Sequence, residues 1–390
     1  MSKDTAAIVG PRTPYNATLE LYTANCNLRC LYCYMHTDKT DFPDYPRHQM
    51  APEVIDHSRR LFAHDRPMGI NLCGNGETTI LEDWTTICEP FLSFDNVGIM
   101  SNLAKVLSWE EASFLARFGN IVTSIDTADV ELLREIRKPV QLRDIVMNLN
   151  LVRTAAVVQG HPPPSIVIHC TVTTKNYRDP TRLIAMASTL GVDRVFFSDV
   201  FERATAITHG VRSIAILDSI AMKEAATEFQ RASALAAMSG ITISVGGPRL
   251  AALLRDGGAA KADAPSTNLS TVLCLQPWSG FWVNADGHAS YCCRHIAPTD
   301  RDITYFGSVR EILNDVNAVH LREALLSGCP PARCRSCELG QPTDPSSLRR
   351  ALQSRGRRSQ LGAVVRVARR LPLARATWRT LRRIPRAPRW

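Results

Sequence analysis

No run of about 18 apolar residues occurs anywhere in the 390-residue chain, so the sequence offers no segment able to span a bilayer as a helix. The opening residues, MSKDTAAIVGPRTPYN, contain no apolar core of a secretory signal. These two lacks point to a cytoplasmic protein. From Pro345 to Trp390 there is no Lys, Asp or Glu, yet there are 14 arginines. The preceding 344 residues therefore hold 32 basic and 37 acidic side chains, a net charge of −5 within a chain whose total is +9. The body is mildly acidic, and the excess positive charge belongs to the tail. No cysteine follows Cys337.

Twelve cysteines remain to be explained. A reducing compartment and a chain long enough for a good core both argue against disulfides. Nine of the twelve fall in two groups, at 26, 30 and 33 and at 274, 292, 293, 329, 334 and 337, which suggests metal binding.

Between about 16 and 248, short β-like runs alternate with helix-like segments, the pattern of βα units around a parallel sheet. Strands are expected in ATLELYT (17–23), GINLC (69–73), NVGIM (96–100), NIVTSID (120–126), SIVIHCTVT (165–173) and RVFFSDV (194–200). A helix over about 213–239 and a short strand ITISV (241–245) close this region. The segment LRDGGAAKADAPSTN, poor in large apolar residues, reads as a linker. The expected division is a core at 1–253, a linker at 254–271, a second cysteine-bearing domain at 272–342 and a basic tail at 343–390.

Cys26, Cys30 and Cys33 place three thiolates within eight residues, directly after the first strand. Three ligands on one loop can hold three irons of a cubane and leave the fourth open. Zinc is the alternative, but it prefers four ligands, and no fourth suitable one lies close by. The CxxxCxxC string, with Tyr32 just before its third cysteine, resembles the hallmark of the radical S-adenosylmethionine superfamily. About 40 residues on, Gly74-Asn75-Gly76-Glu77 at the end of the second strand resembles that family's glycine-rich GGE motif. The resemblance covers about 16–248 and implies a partial (β/α)6 TIM-like barrel. It also implies a [4Fe-4S] cluster on Cys26, Cys30 and Cys33, and S-adenosylmethionine whose amino group meets the 74–77 turn. Ser101, Asn102, Ser124 and Asn176 match family positions that contact the cofactor. Asp126 shares the strand parity of Ser124, and His169, Asp126 and Asp199 are candidate lumen side chains that would read the substrate.

In the second group, Cys274, Gly287 and Cys292 fit CxnGxxxxC, and Cys334 and Cys337 form CxxC. This resembles the SPASM/twitch class of small α+β auxiliary-cluster domains. The resemblance implies one auxiliary [4Fe-4S] cluster on Cys274, Cys292, Cys334 and Cys337, with Cys293 or Cys329 able to replace one of them and a structural zinc as the alternative. Cys73 precedes the GNGE turn and could donate a hydrogen atom in an epimerisation. Cys170 and Cys88 read as core.

The leading functional expectation is a radical oxidoreductase or epimerase acting on a C–H bond of a small molecule such as a sugar or aminocyclitol, reduced by a flavodoxin or ferredoxin. A peptide maturase is the alternative, although the first strand begins near residue 17 and leaves no room ahead of it for a fused leader-binding domain. A non-enzymatic metal protein bound to nucleic acid is an alternative of another class. Within the tail, Leu361, Val364, Val365 and Ala368 recur at helical spacing among arginines, a pattern suited to an anionic membrane surface or an acidic carrier.

Overall fold

The computed structural model describes residues 8, 15–23, 25–33, 48–201, 204–256, 270–293, 297–335, 337 and 340–354. The tail beyond 354, with its amphipathic arginine pattern, and most of the expected linker, 257–269, lie outside these residues.

Among the described residues, the chain folds as an α/β protein around a mostly parallel sheet of nine strands. In chain order these are β1 (Asn16–Glu20), β2 (Gly69–Cys73), β3 (Val97–Ser101), β4 (Asn120–Ser124), β5 (Ser165–Val172), β6 (Arg194–Asp199), β7 (Thr242–Gly246), β8 (Gly280–Val283) and β9 (Ala289–Ser290). Their order across the sheet is β9-β8-β1-β2-β3-β4-β5-β6-β7, and only β9 runs antiparallel to its neighbour. Strands β1 to β7 lie in sequence order because each crossover returns the chain to the growing edge. The pairing of β8 with β1, from Asn16 against Gly280 to Leu19 against Val283, was not announced by the sequence. A four-residue strand beyond the linker carries no signal of its partner.

Alternation along the strands decides which face is covered. Ala17, Leu19, Ile70, Leu72, Ile99, Ile121, Ile166, Ile168, Val195 and Phe197 are buried in one continuous core. The opposite parity carries Thr18, Glu20, Cys73, Ser124, His169, Phe196 and Ser198, a mixed polar and aromatic surface. Cys170 joins the core face with Ile166 and Ile168, and Cys88 is fully buried, as expected of both.

All six expected strands form, with ends displaced by a few residues. The first stops at Glu20 because the chain then leaves the sheet, Tyr22 bridging to Gln49 and the Met50 amide donating to Leu21. The single helix expected over 213–239 is divided. Ser213 caps a short 3-10 turn (Ile214–Ile216), and the Asp218 carboxylate then accepts from the Ile220 and Ala221 amides to start α1 (Ser219–Ser239) afresh.

Beyond the linker, Gly287 closes the β8–β9 turn at φ 85°, a left-handed conformation that a side chain resists. Arg322, fully buried on α2 (Val316–Ser327), donates to the carbonyls of Pro277 and Leu313 and so ties that helix to the entry of β8. Burial lowers its pKa to about 10.

Phe197 packs edge-on against Phe229 of α1, with ring centroids 5.1 Å apart. Phe197→Ala should destabilise the fold by about 3–5 kcal/mol, measured as a lowered urea midpoint at unchanged m-value.

Candidate active site

The cysteine loop is built against the GNGE turn by the chain's own backbone. As the chain leaves β1, the Leu21 amide donates to the Cys73 carbonyl, the Gly76 amide to Tyr22, and the Glu77 amide to Asn25. A Cβ on Gly74 would sit 1.9 Å from the Tyr22 carbonyl oxygen, and one on Gly76 would sit 2.1 Å from that of Asn25. Both glycines are thus required before any ligand is considered. The two motifs that stand out separately in the sequence form one interlocked unit.

Within the loop, the Cys26 sulfur accepts from the Leu28 amide at 3.4 Å and from Asn102 Nδ2 at 3.5 Å. Cys30 belongs to a two-residue ladder in which Arg29 and Cys30 pair antiparallel with Lys138 and Arg137. The Cys33 amide donates to the Cys30 carbonyl at 3.0 Å. Burial pushes the Cys26 thiol up to about 11, with Glu77 and Cys33 adding to the rise. Burial likewise raises Cys30 to about 12, opposed by Arg137 and reinforced by Cys33, Asp126 and Cys26. The three sulfurs therefore lie within each other's electrostatic reach.

Glu77, 3% exposed, organises the turn. Its Oε1 accepts from the Thr79 amide and hydroxyl and from Ser101 Oγ at 2.8 Å, while Oε2 accepts from the Asn102 amide at 2.7 Å. Asn102 Nδ2 also donates to Asn27 Oδ1. The next residue, Leu103, is buried at φ 51°, a strained conformation for a side chain of its size. Glu77 thus fixes the exit of β3, and through Asn102 the exit of β3 fixes Cys26.

Asp126, just past β4, meets a partner that sequence reasoning did not find. Arg137 donates Nε to Oδ2 at 2.6 Å and Nη2 to Oδ1 at 3.0 Å, a two-point ion pair. The Tyr32 hydroxyl donates to the same carboxylate at 2.8 Å, as does the Thr171 amide. Burial holds the Tyr32 pKa well above its ordinary value. Arg137 was missed because nothing in REIRKP distinguishes it from a surface arginine; only the two-residue ladder to Cys30 does.

On the open parity, Cys73 is half-buried beside Glu20, its register partner, and burial raises its thiol well above the ordinary range. Asn75 Nδ2 donates to Glu20 Oε1 at 3.1 Å. Ser124 pairs in register with His169, whose Nε2 is 2.8 Å from Ser198 Oγ and whose ring contacts Phe196. Burial, aided by Arg137, lowers His169 to about 4. Asn176 is engaged with backbone, accepting from the Thr173 amide and donating to the carbonyls of Asp126 and Thr171. Asp199 has the parity of Val195 and Phe197, away from the open face. Its carboxylate accepts from the Val200 amide, Ser213 Oγ and Arg249.

Of the second cysteine group, Cys274, Cys292 and Cys337 come together. Burial pushes Cys274 up to about 11, with Cys292 and Cys337 contributing to the rise. The Cys337 amide donates to the Cys334 carbonyl at 3.2 Å, and Cys293 and Cys329 are exposed. Among the described residues, no three Cys, His, Asp or Glu side chains converge as tightly as a single metal ion requires. No described helix is long and apolar enough to cross a membrane.

No family model matches the chain, and the curated proteins yield no match. Solved structures do resemble it. The chain is similar to Streptococcus suis SuiB bound to S-adenosylmethionine, with a TM-score of 0.59 and 13% identity over 80% of this chain and 68% of that one. SuiB bound to its precursor peptide SuiA superposes with a TM-score of 0.56 at 12% identity, over 80% and 67%. Native anSMEcpe with bound AdoMet gives 0.57 at 14% identity, over 92% of this chain and all of that one. These likenesses show that the chain shares the fold of SuiB and anSMEcpe.

Two outcomes follow. Gly76→Ala, whose Cβ overlaps the Asn25 carbonyl, should displace the cysteine loop and lower iron uptake on reconstitution severalfold, while the far-UV circular dichroism stays near that of the parent. With its folded pKa depressed from 6.5 to about 4, His169 stays neutral where the unfolded chain takes up a proton. Stability should therefore fall by up to about 3 kcal/mol as pH drops from 6.5 toward 4, and His169→Gln should flatten that part of a urea-midpoint profile.

Proposed function

We propose that the chain is a radical S-adenosylmethionine enzyme in which Cys26, Cys30 and Cys33 ligate three irons of a [4Fe-4S] cluster. The observation carrying this reading is the gathering of three thiols, one buried and two half-buried, on one loop locked to the Gly74–Glu77 turn, with N–H donors directed at two of the sulfurs. The Leu28 amide and Asn102 serve Cys26, and Arg137 Nη1 lies 3.8 Å from the Cys30 sulfur. Donors to sulfur suit ligands that carry negative charge.

When bound, the cluster and S-adenosylmethionine supply a 5′-deoxyadenosyl radical able to take hydrogen from an unactivated C–H bond. The chain's part is placement and exclusion of water. In this reading Asn75, Ser101, Asn102, Ser124 and the backbone of the 74–77 turn border the cofactor, with Tyr32 and Asn176 holding the surrounding strand ends. The open face with Glu20, Cys73, Ser124, His169 and Phe196 forms the substrate wall of a partial barrel. Its mix of hydroxyl, carboxylate, imidazole and ring suits a small polar molecule such as a sugar or aminocyclitol. Cys274, Cys292, Cys334 and Cys337 would hold an auxiliary [4Fe-4S] cluster in a SPASM/twitch-type domain, which would supply an electron acceptor for a net oxidation. Epimerisation would result if Cys73 returned a hydrogen atom instead, its thiyl radical then regaining one electron from the external reductant and one proton from solvent. Peptide maturation is the second reading, favoured by the likeness to SuiB with its precursor peptide.

Anaerobic reconstitution tests the proposal. The full chain should bind about eight irons, as two cubanes require, and form 5′-deoxyadenosine on reduction. Ala at Cys26, Cys30 or Cys33 should abolish nucleoside formation, whereas Cys334→Ala should retain it. Stoichiometric zinc without nucleoside product would refute the assignment.

A further inference from the structure

Arg137 reaches the cysteine loop from 107 residues along the chain. Backbone pairing fixes its approach: Arg137 and Lys138 form the ladder with Cys30 and Arg29, and the Leu31 amide donates to Ile136 at 2.9 Å. The side chain is 8% exposed and that of Asp126 is 0% exposed. Nε and Nη2 are committed to Asp126, and Nη1 is turned to the Cys30 sulfur at 3.8 Å. The guanidinium carbon lies 5.5 Å from the centre of the Tyr32 ring, and the Tyr32 hydroxyl returns to Asp126 Oδ2. The ion pair is therefore an oriented dipole, its positive end at a cluster ligand and its negative end facing Tyr32 and the Thr171 amide.

We propose that the Arg137–Asp126 pair sets the reduction potential of the cluster held by Cys26, Cys30 and Cys33, Arg137 raising it and Asp126 limiting the rise. The inference rests on the cluster reading given above. One-electron reduction adds a single negative charge, shared by the irons and their thiolate sulfurs. A buried cation and N–H donor at one of those sulfurs favours the reduced form, and a buried anion opposes it. Arginine remains protonated throughout, so the electron arrives from the external reductant with no proton transfer at this pair. Because the two residues carry opposite charges, their neutralisation has opposite effects. A purely structural role for the pair would not produce that sign reversal. Arg137 and Asp126 are thus positioning residues that act through Cys30.

The test is an anaerobic redox titration of the reconstituted full chain. It follows the electron paramagnetic resonance signal that changes on adding S-adenosylmethionine, which marks this cluster. Arg137→Gln should shift the one-electron equilibrium at least tenfold toward the oxidised form, about 59 mV lower in midpoint. Asp126→Asn should shift it toward the reduced form, and Arg137→Lys should fall between Arg137→Gln and the parent. Parent-like midpoints in assembled Arg137→Gln and Asp126→Asn, or shifts of both in one direction, would overturn the proposal and leave the cluster reading standing. If Arg137→Gln assembles no cluster, Asp126→Asn decides, and an unchanged or lowered midpoint overturns the inference. A parent chain that binds no iron would bring down the cluster reading and this inference together.

Discussion

The structure of the candidate site depends on the backbone contact between the end of β1 and the turn after β2. Three amide–carbonyl bonds, from Leu21 to Cys73, Gly76 to Tyr22 and Glu77 to Asn25, extend the strand pairing into what would otherwise be two independent loops. The chains can approach this closely because residues 74 and 76 have no side chain. Everything downstream inherits the geometry: the position of Cys26, the inward carboxylate of Glu77, and the strained exit of β3 at Leu103 that Glu77 holds through Ser101 and Asn102. Ordering these groups in the folded protein reduces the reorganisation left for a ligand to drive on binding.

A second layer of organisation is electrostatic. Glu77, Asp126 and Arg137 are nearly or fully removed from water, and each is met by several donors or acceptors rather than by one. Breaking such an arrangement by removing a single partner leaves an uncompensated buried charge, which is why these positions tolerate little change. By contrast, the open face carries neutral or lightly engaged groups, His169 and Ser198 among them, that leave room for a polar substrate to compete for hydrogen bonds.

Much of this was legible in the sequence. Periodicity gave the seven strands from β1 to β7, and the parity argument that set Cys170 in the core holds because Ile166 and Ile168 leave no doubt about the buried face. The two motifs were visible as strings, but the reason for their glycines was not, since a string does not say whose backbone comes near. Asp199, expected in the lumen, instead shares the parity of Val195 and Phe197, and Ser213 and Arg249, from later elements that the strand pattern does not announce, engage its carboxylate. Arg137 and β8 were invisible for a related reason. Each acts through a very short ladder to a distant segment, and two to four residues carry too little pattern to name a partner.

The pairing of β8 with β1 has a consequence for how the chain can be divided. β1 lies between β8 and β2, so the strand leading to the first cysteine loop has no free edge. A fragment ending before residue 270 would uncover one side of β1, a row of unpaired amides and carbonyls flanked by apolar side chains, and such edges recruit other chains. The two cysteine-bearing regions therefore share a structural debt that neither can settle alone: cutting the chain at the linker would favour self-association at the very strand that presents Cys26.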